Sequence, residues 1–297
     1  MILLTGASGF IGKHLLNALV KANGAENIIA LTSKPIPDCQ YLLHDDYRFG
    51  FDLFRSNGKA EKIETIIHAG AFIPKNGKSQ NDQQACNENI SSTATLLNAD
   101  LPSVKKIIYL STQDVYGATD VITENTAIDP ATLYGASKWY VERMISSWAN
   151  EKNIACHILR LGHVYGPGEQ AFEKIIPVTF NKILKNESIK IWGTGNELRT
   201  FIYINDVIEA ILQSLKLNST RELINVTGSQ PISILELVKK IINITGKKVE
   251  IEMADQSKPG KSFVCDNSKM RSMLNNPKTT LEEGLKEEWS YMKRLSL

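Results

Sequence analysis

The 297-residue chain has little cysteine: Cys39, Cys86, Cys156 and Cys265 are all it carries. They are scattered and form no CxxC pair, so the sequence offers neither zinc-ligand spacing nor a disulfide framework. Reduced thiols in a cytoplasmic protein are the simplest reading. An excess of one charge is also missing, since 34 Lys and Arg face 32 Asp and Glu, a formal net charge of +2. Without a basic cluster interleaved with aromatics, nucleic acid is not an expected partner. No apolar run reaches the ~18 residues of a bilayer span, so no membrane helix is expected. The start, "MILLTG", reads as a buried strand entering a turn with no basic segment ahead of it, and not as a signal peptide. Internal repeats and low-complexity segments are absent too. What is present is 42% hydrophobic residues, enough for a sizeable core, in a chain long enough for one large domain and a smaller one.

The first half alternates short apolar runs with helical patterns. "ILLT" from Ile2, "NIIALT" ending at Thr32, "TIIHAG" from Thr65, "KIIYLST" from Lys106 and "CHILRLGHVYG" from Cys156 read as buried strands. Helices are expected from Ile11 to Val20, Asn89 to Ala99 and Thr132 to Asn150. Residues 48–62 read as a loop with room for one helix. Continuous apolar strands separated by helices predict an α/β fold, a parallel sheet covered on both faces. After Gly166 the pattern changes to helices near 172–184, 206–217 and 233–245, with short strands "IKIW", "FIYI" and "LINV" between them. The expected division is 1–165 as the large domain and 166–297 mainly as a smaller α+β cap, with pieces near 200–217 returning to the large domain.

"TGASGFIG" sets Gly6, Gly9 and Gly12 between the first strand and the first helix. Glycines there let the backbone turn tightly, and the helix N-terminus offers free N–H groups to a pyrophosphate. This context predicts dinucleotide binding. The second strand ends in Thr32, Ser33 and Lys34, where an NAD enzyme usually has an acid for the ribose hydroxyls. With no carboxylate to repel a 2′-phosphate and Lys34 to attract one, NADP(H) is expected over NAD(H). Thr112 ends the strand that starts at Lys106, where open α/β sheets bind ligands. Tyr134 and Lys138, four residues apart, share one helix face. An ammonium beside a phenol favours the phenolate, so the pair is expected to act as a tuned proton carrier, with Thr112 holding the substrate oxygen.

The order TGASGFIG, STQDVYG, YGASK and RLGHVYGPG resembles the extended short-chain dehydrogenase/reductase family, and within it the nucleoside-diphosphate-sugar epimerases, dehydratases and 4-ketoreductases. "HAGA", "NISSTATLLNA", "GTGNELRTFIYINDV" and "PKTTLEEGL" extend the resemblance over nearly the whole chain. It implies a Rossmann-type doubly wound sheet with a substrate-binding cap. It implies catalysis by Thr112, Tyr134 and Lys138, with Lys138 also on the nicotinamide ribose. Ser8, Phe10, Ile11, Asp45, Ala69, Gly70 and Ala71 join the glycines as cofactor-binding residues. Phe72, Gln113, Asp114, His163, Lys174 and Arg199 are implied around the sugar nucleotide, Arg199 on its diphosphate. No metal is implied. Relatives usually pair through the helices that here begin near Asn89 and Thr132. Trp139, Met144, Ile145 and Trp148 on the second are bulkier than one core stripe needs, so a homodimer is expected.

The chain departs from the family where the dehydratases resemble "STDEVYG". Gln113 cannot give up a proton, which disfavours 4,6-dehydration. Asp114 stands where the C3/C5-epimerising enzymes carry cysteine, and it contacts the sugar or caps the loop. His163 and Lys174 replace the usual asparagines, and Lys174 contacts a phosphate or lies solvated. His14, His44 and His157 read as structural. The expected reaction is NADPH-dependent reduction of a 4-keto-6-deoxy sugar nucleotide. The alternatives are an NAD-dependent 4-epimerase and a cofactor-sensing module without catalysis.

Overall fold

The computed structural model describes residues 1–37, 39–45, 52–55, 58–117, 119–255 and 260–296, with the backbone alone at 52 and 55. The chain runs β1 (Ile2–Thr5), α1 (Phe10–Asn23), β2 (Ile28–Thr32), β3 (Gln40–Leu43), α2 (Asp52–Arg55) and β4 (Thr65–His68). It continues α3 (Gln83–Leu97), β5 (Lys106–Thr112), α4 (Leu133–Glu151), β6 (Ala155–Leu161), β7 (His163–Tyr165), α5 (Ile175–Leu184) and β8 (Ile189–Trp192). It ends β9 (Leu198–Tyr203), α6 (Ile204–Lys216), β10 (Arg221–Val226), β11 (Pro231–Ser233), α7 (Ile234–Thr245), β12 (Ile251–Ala254), α8 (Ser268–Met273) and α9 (Leu281–Leu295). Of the segment 48–62, α2 and a 3-10 turn at Ala60–Lys62 are seen; 48–51 and 56–57 lie outside the described residues.

Among the described residues, seven parallel strands form one sheet in the order β10-β6-β5-β4-β1-β2-β3. Their side chains alternate between two cores, as the pleat requires. Leu4, Ala30, Ile67, Ile108 and Leu110 face Leu15, Leu19, Val207 and Ile211 of α1 and α6. Leu3, Ile29, Ile66, Ile107 and Tyr109 face Leu96, Leu97, Val141 and Ile145 of α3 and α4. Both faces are covered, which is why the strands read as unbroken apolar runs.

One expected strand is two. "CHILRLGHVYG" divides at Gly162, where Val164 N donates back to Gly162 O at 2.9 Å. The tight turn sends β6 into the large sheet and β7 into a second sheet of order β11-β9-β7. α6 buries Ile204, Val207, Ile208 and Ile211, a helical stripe, and packs on α1. β10, the "LINV" piece, pairs with β6 from Arg221↔Cys156 to Val226↔Leu161 and so joins the large sheet.

Candidate active site

The strand order reverses at β1 and β4, so the loops after β1, β4 and β5 part around one crevice. A cavity of about 1680 Å³ opens there. One small ligand typically needs ~300–1,000 Å³, so this space suits two. Its wall includes Gly6, Ser8, Gly9, Phe10, Ile11 and Gly12 after β1, and Ala69, Gly70, Ala71 and Phe72 after β4. Thr112, Gln113, Asp114, Tyr134 and Lys138 line it from β5 and α4, with His163, Lys174 and Arg199 opposite.

The first loop fits a pyrophosphate on its own geometry. Gly6 has φ +70°, and a Cβ there would lie 2.6 Å from Gly70 Cα; a Cβ on Gly12 would lie 2.0 Å from Gly6 O. The loop is therefore pressed against both the HAGA turn and α1, leaving the α1 N-terminus open to the cavity with no side-chain cap on it. A buried relay fixes the neighbouring turn. Gly70 N donates to Thr5 Oγ1 at 2.8 Å, so the Thr5 hydroxyl donates to His68 Nδ1 at 2.8 Å. His68 Nε2 then donates to Thr93 Oγ1 at 2.9 Å, and Thr93 donates to Asn89 O at 2.7 Å. Burial, with the Lys138 charge behind it, lowers His68 to about 3 and keeps it neutral in this tautomer. Asn89 in turn accepts from Phe72 N at 2.7 Å and donates to Ser137 Oγ at 3.2 Å, tying the HAGA turn to α4. These supports were not singled out in the sequence, because all of the contacts but Thr93 to Asn89 join residues 17 or more positions apart.

Two expected cofactor residues lie elsewhere. Thr32 is fully buried, absent from the cavity wall, and its hydroxyl is spent on Lys34 O and Lys34 N at 3.0 and 3.2 Å. Asp45 is exposed, one residue past His44, and does not line the cavity. Ser33 and Lys34 do line it; Ser33 Oγ approaches Ser8 Oγ at 3.4 Å.

Tyr134 sits in the first turn of α4, whose N-cap Thr132 accepts from Gly135 N at 3.1 Å. Thr112 caps the 3-10 turn Gln113–Val115 by accepting from Asp114 N at 3.2 Å. The expected tuning of Tyr134 by Lys138 is not what the geometry gives. Burial, then the Asp114 carboxylate, pushes Tyr134 well above its usual value, against a hydrogen bond with Thr112. The Lys138 ammonium points instead to Leu110 O at 2.7 Å and lies 4.3 Å from the Tyr109 ring centroid. Burial lowers Lys138 itself to about 7. Burial disfavours the charged form of each, the phenolate of Tyr134 and the ammonium of Lys138. The phenol is thus protonated at neutral pH, ready to give a proton.

On the opposite wall, His163 lies between Phe201 and Phe263, at 5.6 and 6.2 Å. Burial, with Arg199 and Lys174 nearby, lowers it to about 3, and its Nε2 is buried without a partner. Lys174 is held 3.6 Å from Glu169, donates to Val164 O at 3.2 Å, and lies 5.0 Å from the Phe172 ring. It is a braced cation and not a free surface lysine. Glu169, also in the wall, was not singled out in the sequence, where only its place after "GPG" is visible. Gln113 is almost wholly buried and accepts from Cys265 Sγ at 3.3 Å. Arg199 donates to Leu198 O and Lys261 O at 2.8 and 2.6 Å.

Residues 2–227 match the NAD dependent epimerase/dehydratase family. An uncharacterized UDP-glucose epimerase of Bacillus subtilis (strain 168), YtcB, is 30% identical over 317 aligned residues, covering 99% of this chain and 98% of its own. A dTDP-4-dehydro-6-deoxy-D-allose reductase of Streptomyces sp is 28% identical, covering 96% of this chain and 94% of its own. The solved UDP-glucuronic acid 4-epimerase from Bacillus cereus in complex with NAD has a TM-score of 0.85 at 28% identity, over 100% of this chain and 99% of that one. Because the family match runs from β1 to the end of β10, the last strand of the large sheet, the chain belongs to the NAD dependent epimerase/dehydratase family, enzymes of nucleotide-sugar chemistry within the extended short-chain dehydrogenases/reductases.

Proposed function

We propose that this enzyme reduces a nucleoside-diphosphate 4-keto-6-deoxyhexose with NADPH. The observation that carries this choice is the end of β2. There Ser33 and Lys34 line the cavity, and its wall from Ser33 to His44 holds no carboxylate among the described residues, so a 2′-phosphate meets a cation. On this reading residues 1–165 with α6 and β10 hold the cofactor, and the rest of 166–297 closes over the sugar nucleotide.

The reduced nicotinamide, when bound, supplies a hydride to the keto carbon. Lys138 holds the ribose through its ammonium. Tyr134, protonated at neutral pH, gives its proton to the oxygen that becomes the new hydroxyl. Thr112 donates a hydrogen bond to the same oxygen. Arg199 meets the diphosphate, and Phe72, Gln113, Asp114, His163 and Lys174 surround the sugar. The neutral His163, with one ring nitrogen unpartnered, suits a sugar hydroxyl.

The likeness to YtcB and to the Bacillus cereus epimerase favours a second reading, a 4-epimerase using the same residues with NAD. A panel of nucleotide sugars and their 4-keto derivatives separates the two. A reductase consumes NADPH stoichiometrically at the nicotinamide absorbance when given the 4-keto sugar. An epimerase leaves that absorbance unchanged while chromatography shows the C4 epimers interconverting.

A further inference from the structure

Glu142 follows Lys138 by four residues and Tyr134 by eight, on the same face of α4. It is 3% exposed. Its Oε1 accepts from Ser111 Oγ at 2.5 Å and Arg160 Nε at 2.9 Å, and its Oε2 accepts from Arg160 Nη2 at 2.6 Å. Ser111 and Arg160 stand opposite each other on β5 and β6. Arg160 also lies 4.6 Å from the Tyr116 ring centroid, and Tyr116 Oη donates to Asn225 Oδ1 at 2.8 Å. A helix is thereby pinned to two strands one residue from Thr112.

A buried ion pair adds little stability over apolar side chains of the same volume. The pair here has a neighbour that gains from it. The 3%-exposed Lys138 ammonium has a carbonyl and an aromatic ring as its direct contacts. The titratable groups around it are His68 on β4, Tyr109 on β5, and Tyr134 and Glu142 on α4, with Arg160 of β6 behind Glu142. Glu142 is the one carboxylic acid among these. Tyr109 is pushed up by burial and His68 held neutral, so neither balances a positive charge.

We propose that Glu142, clamped by Arg160 and Ser111, is a positioning residue that keeps the Lys138 ammonium charged and seated at the end of β5. This rests on the reading of Lys138 as the ribose-binding cation, but the charge it assigns is a property of the free protein. Arg160 draws the carboxylate away from Lys138, so the two members of the pair act on the lysine with opposite sign.

Protein labelled with 13C at lysine Cε, with the Lys138 signal assigned by its loss in Lys138→Arg, reports the titration directly by NMR. Glu142→Gln lowers the Lys138 midpoint by roughly one unit, the effect of losing a nearby opposite charge. In the same variant NADPH binding, followed by nicotinamide fluorescence, weakens several-fold at pH 7.5 and recovers toward the unaltered protein at pH 5.5, where the lysine is protonated again. An unmoved midpoint, or a binding loss equal at both pH values, means Glu142 only packs the helix and overturns the proposal. If Glu142→Gln does not fold, the Lys138 midpoint of Glu142→Gln with Arg160→Met is compared with that of Arg160→Met alone, so that the effect of the carboxylate is read with Arg160 absent from both, and the same downward shift is expected. The NMR titration needs no substrate or turnover, so failure of the reductase reading leaves its result intact.

Discussion

Tyr134 is held between a hydroxyl that favours its phenolate and a carboxylate that opposes it, inside a wall that excludes water. Its height above the ordinary tyrosine value keeps it protonated in the resting protein. Tyr134→Phe deletes the proton and keeps the ring. Turnover is expected to fall by about 10²–10⁴-fold with cofactor affinity nearly intact, read by steady-state rates beside a binding titration. Near-normal turnover removes the mechanism. Asp114 gives a signed test. Its negative charge raises Tyr134, so Asp114→Asn lowers it, and the limb on which reduction declines with rising pH moves toward neutral. A limb that stays in place assigns Asp114 to the sugar alone.

At the scale of the element, α4 sets the chemistry's geometry, because Tyr134 lies in its first turn. Thr132→Ala removes the cap on that turn and is expected to cost about 0.5–2 kcal/mol in urea unfolding. A turnover loss should accompany it at temperatures where the protein is still fully folded, since the first turn frays where the phenol is anchored. The outer face of the same helix carries the assembly expectation in altered form. Ile145 is fully buried and Met144 and Trp148 pack partly on the inner core, so of the residues named from sequence Trp139 is the one left outside. Leu133 and Tyr140 join it there, 40% and 52% exposed. We propose a homodimer through this face. The unaltered protein should scatter light as a dimer at micromolar concentration, and Trp139→Glu with Tyr140→Glu as a monomer. A monomer mass for the unaltered protein sinks the idea.

For the whole molecule, buried titrating groups act on the pH dependence of stability in opposite directions, and two of them are acids. Glu169 and Glu288 are both fully buried, with no hydrogen-bond partner on any carboxyl oxygen. Burial raises Glu169 to about 7 even with Lys174 nearby, and burial with the Glu169 charge raises Glu288 to about 8. Below the ordinary carboxylate value of 4.5 both folded and unfolded chains hold these protons. Between there and about 7–8 the unfolded chain has released them and the folded one has not, so their contribution to stability falls as pH rises; below 6.5 it is offset by His68 and His163, which take up protons when unfolded but stay neutral in the fold down to about 3. Lys138 acts in the next window: from about 7 to 10.5 the unfolded chain binds its proton and the folded one does not, so stability rises with pH. Glu288→Gln should therefore stabilise the protein at pH 8 by roughly 1–4 kcal/mol and leave it unchanged at pH 4, measured by urea unfolding at both. Equal effects at the two pH values would rule out an ionising role.

The apolar runs at Ile2, Ile28, Thr65 and Lys106 determined the parallel sheet by themselves, because strands buried on both faces have no solvent side to write an alternation. The glycines of "TGASGFIG" determined the cofactor loop for a similar local reason: Gly6 and Gly12 leave no room for a Cβ. Tyr134 and Lys138 were legible as a pair because a helix fixes residues four apart on one face. What those residues do to each other was decided by tertiary burial, which turned the lysine toward Leu110 and raised the phenol. Thr32 was legible as lacking a carboxylate, but its hydroxyl goes to Lys34's own backbone, and Asp45 falls outside the wall. The return of β10 to the large sheet depends on pairing Arg221 with Cys156, and the Glu142 clamp on bringing Ser111 and Arg160 side by side. Such contacts join segments whose local patterns are ordinary, so only the folded chain, in which distant strands become neighbours, could supply them.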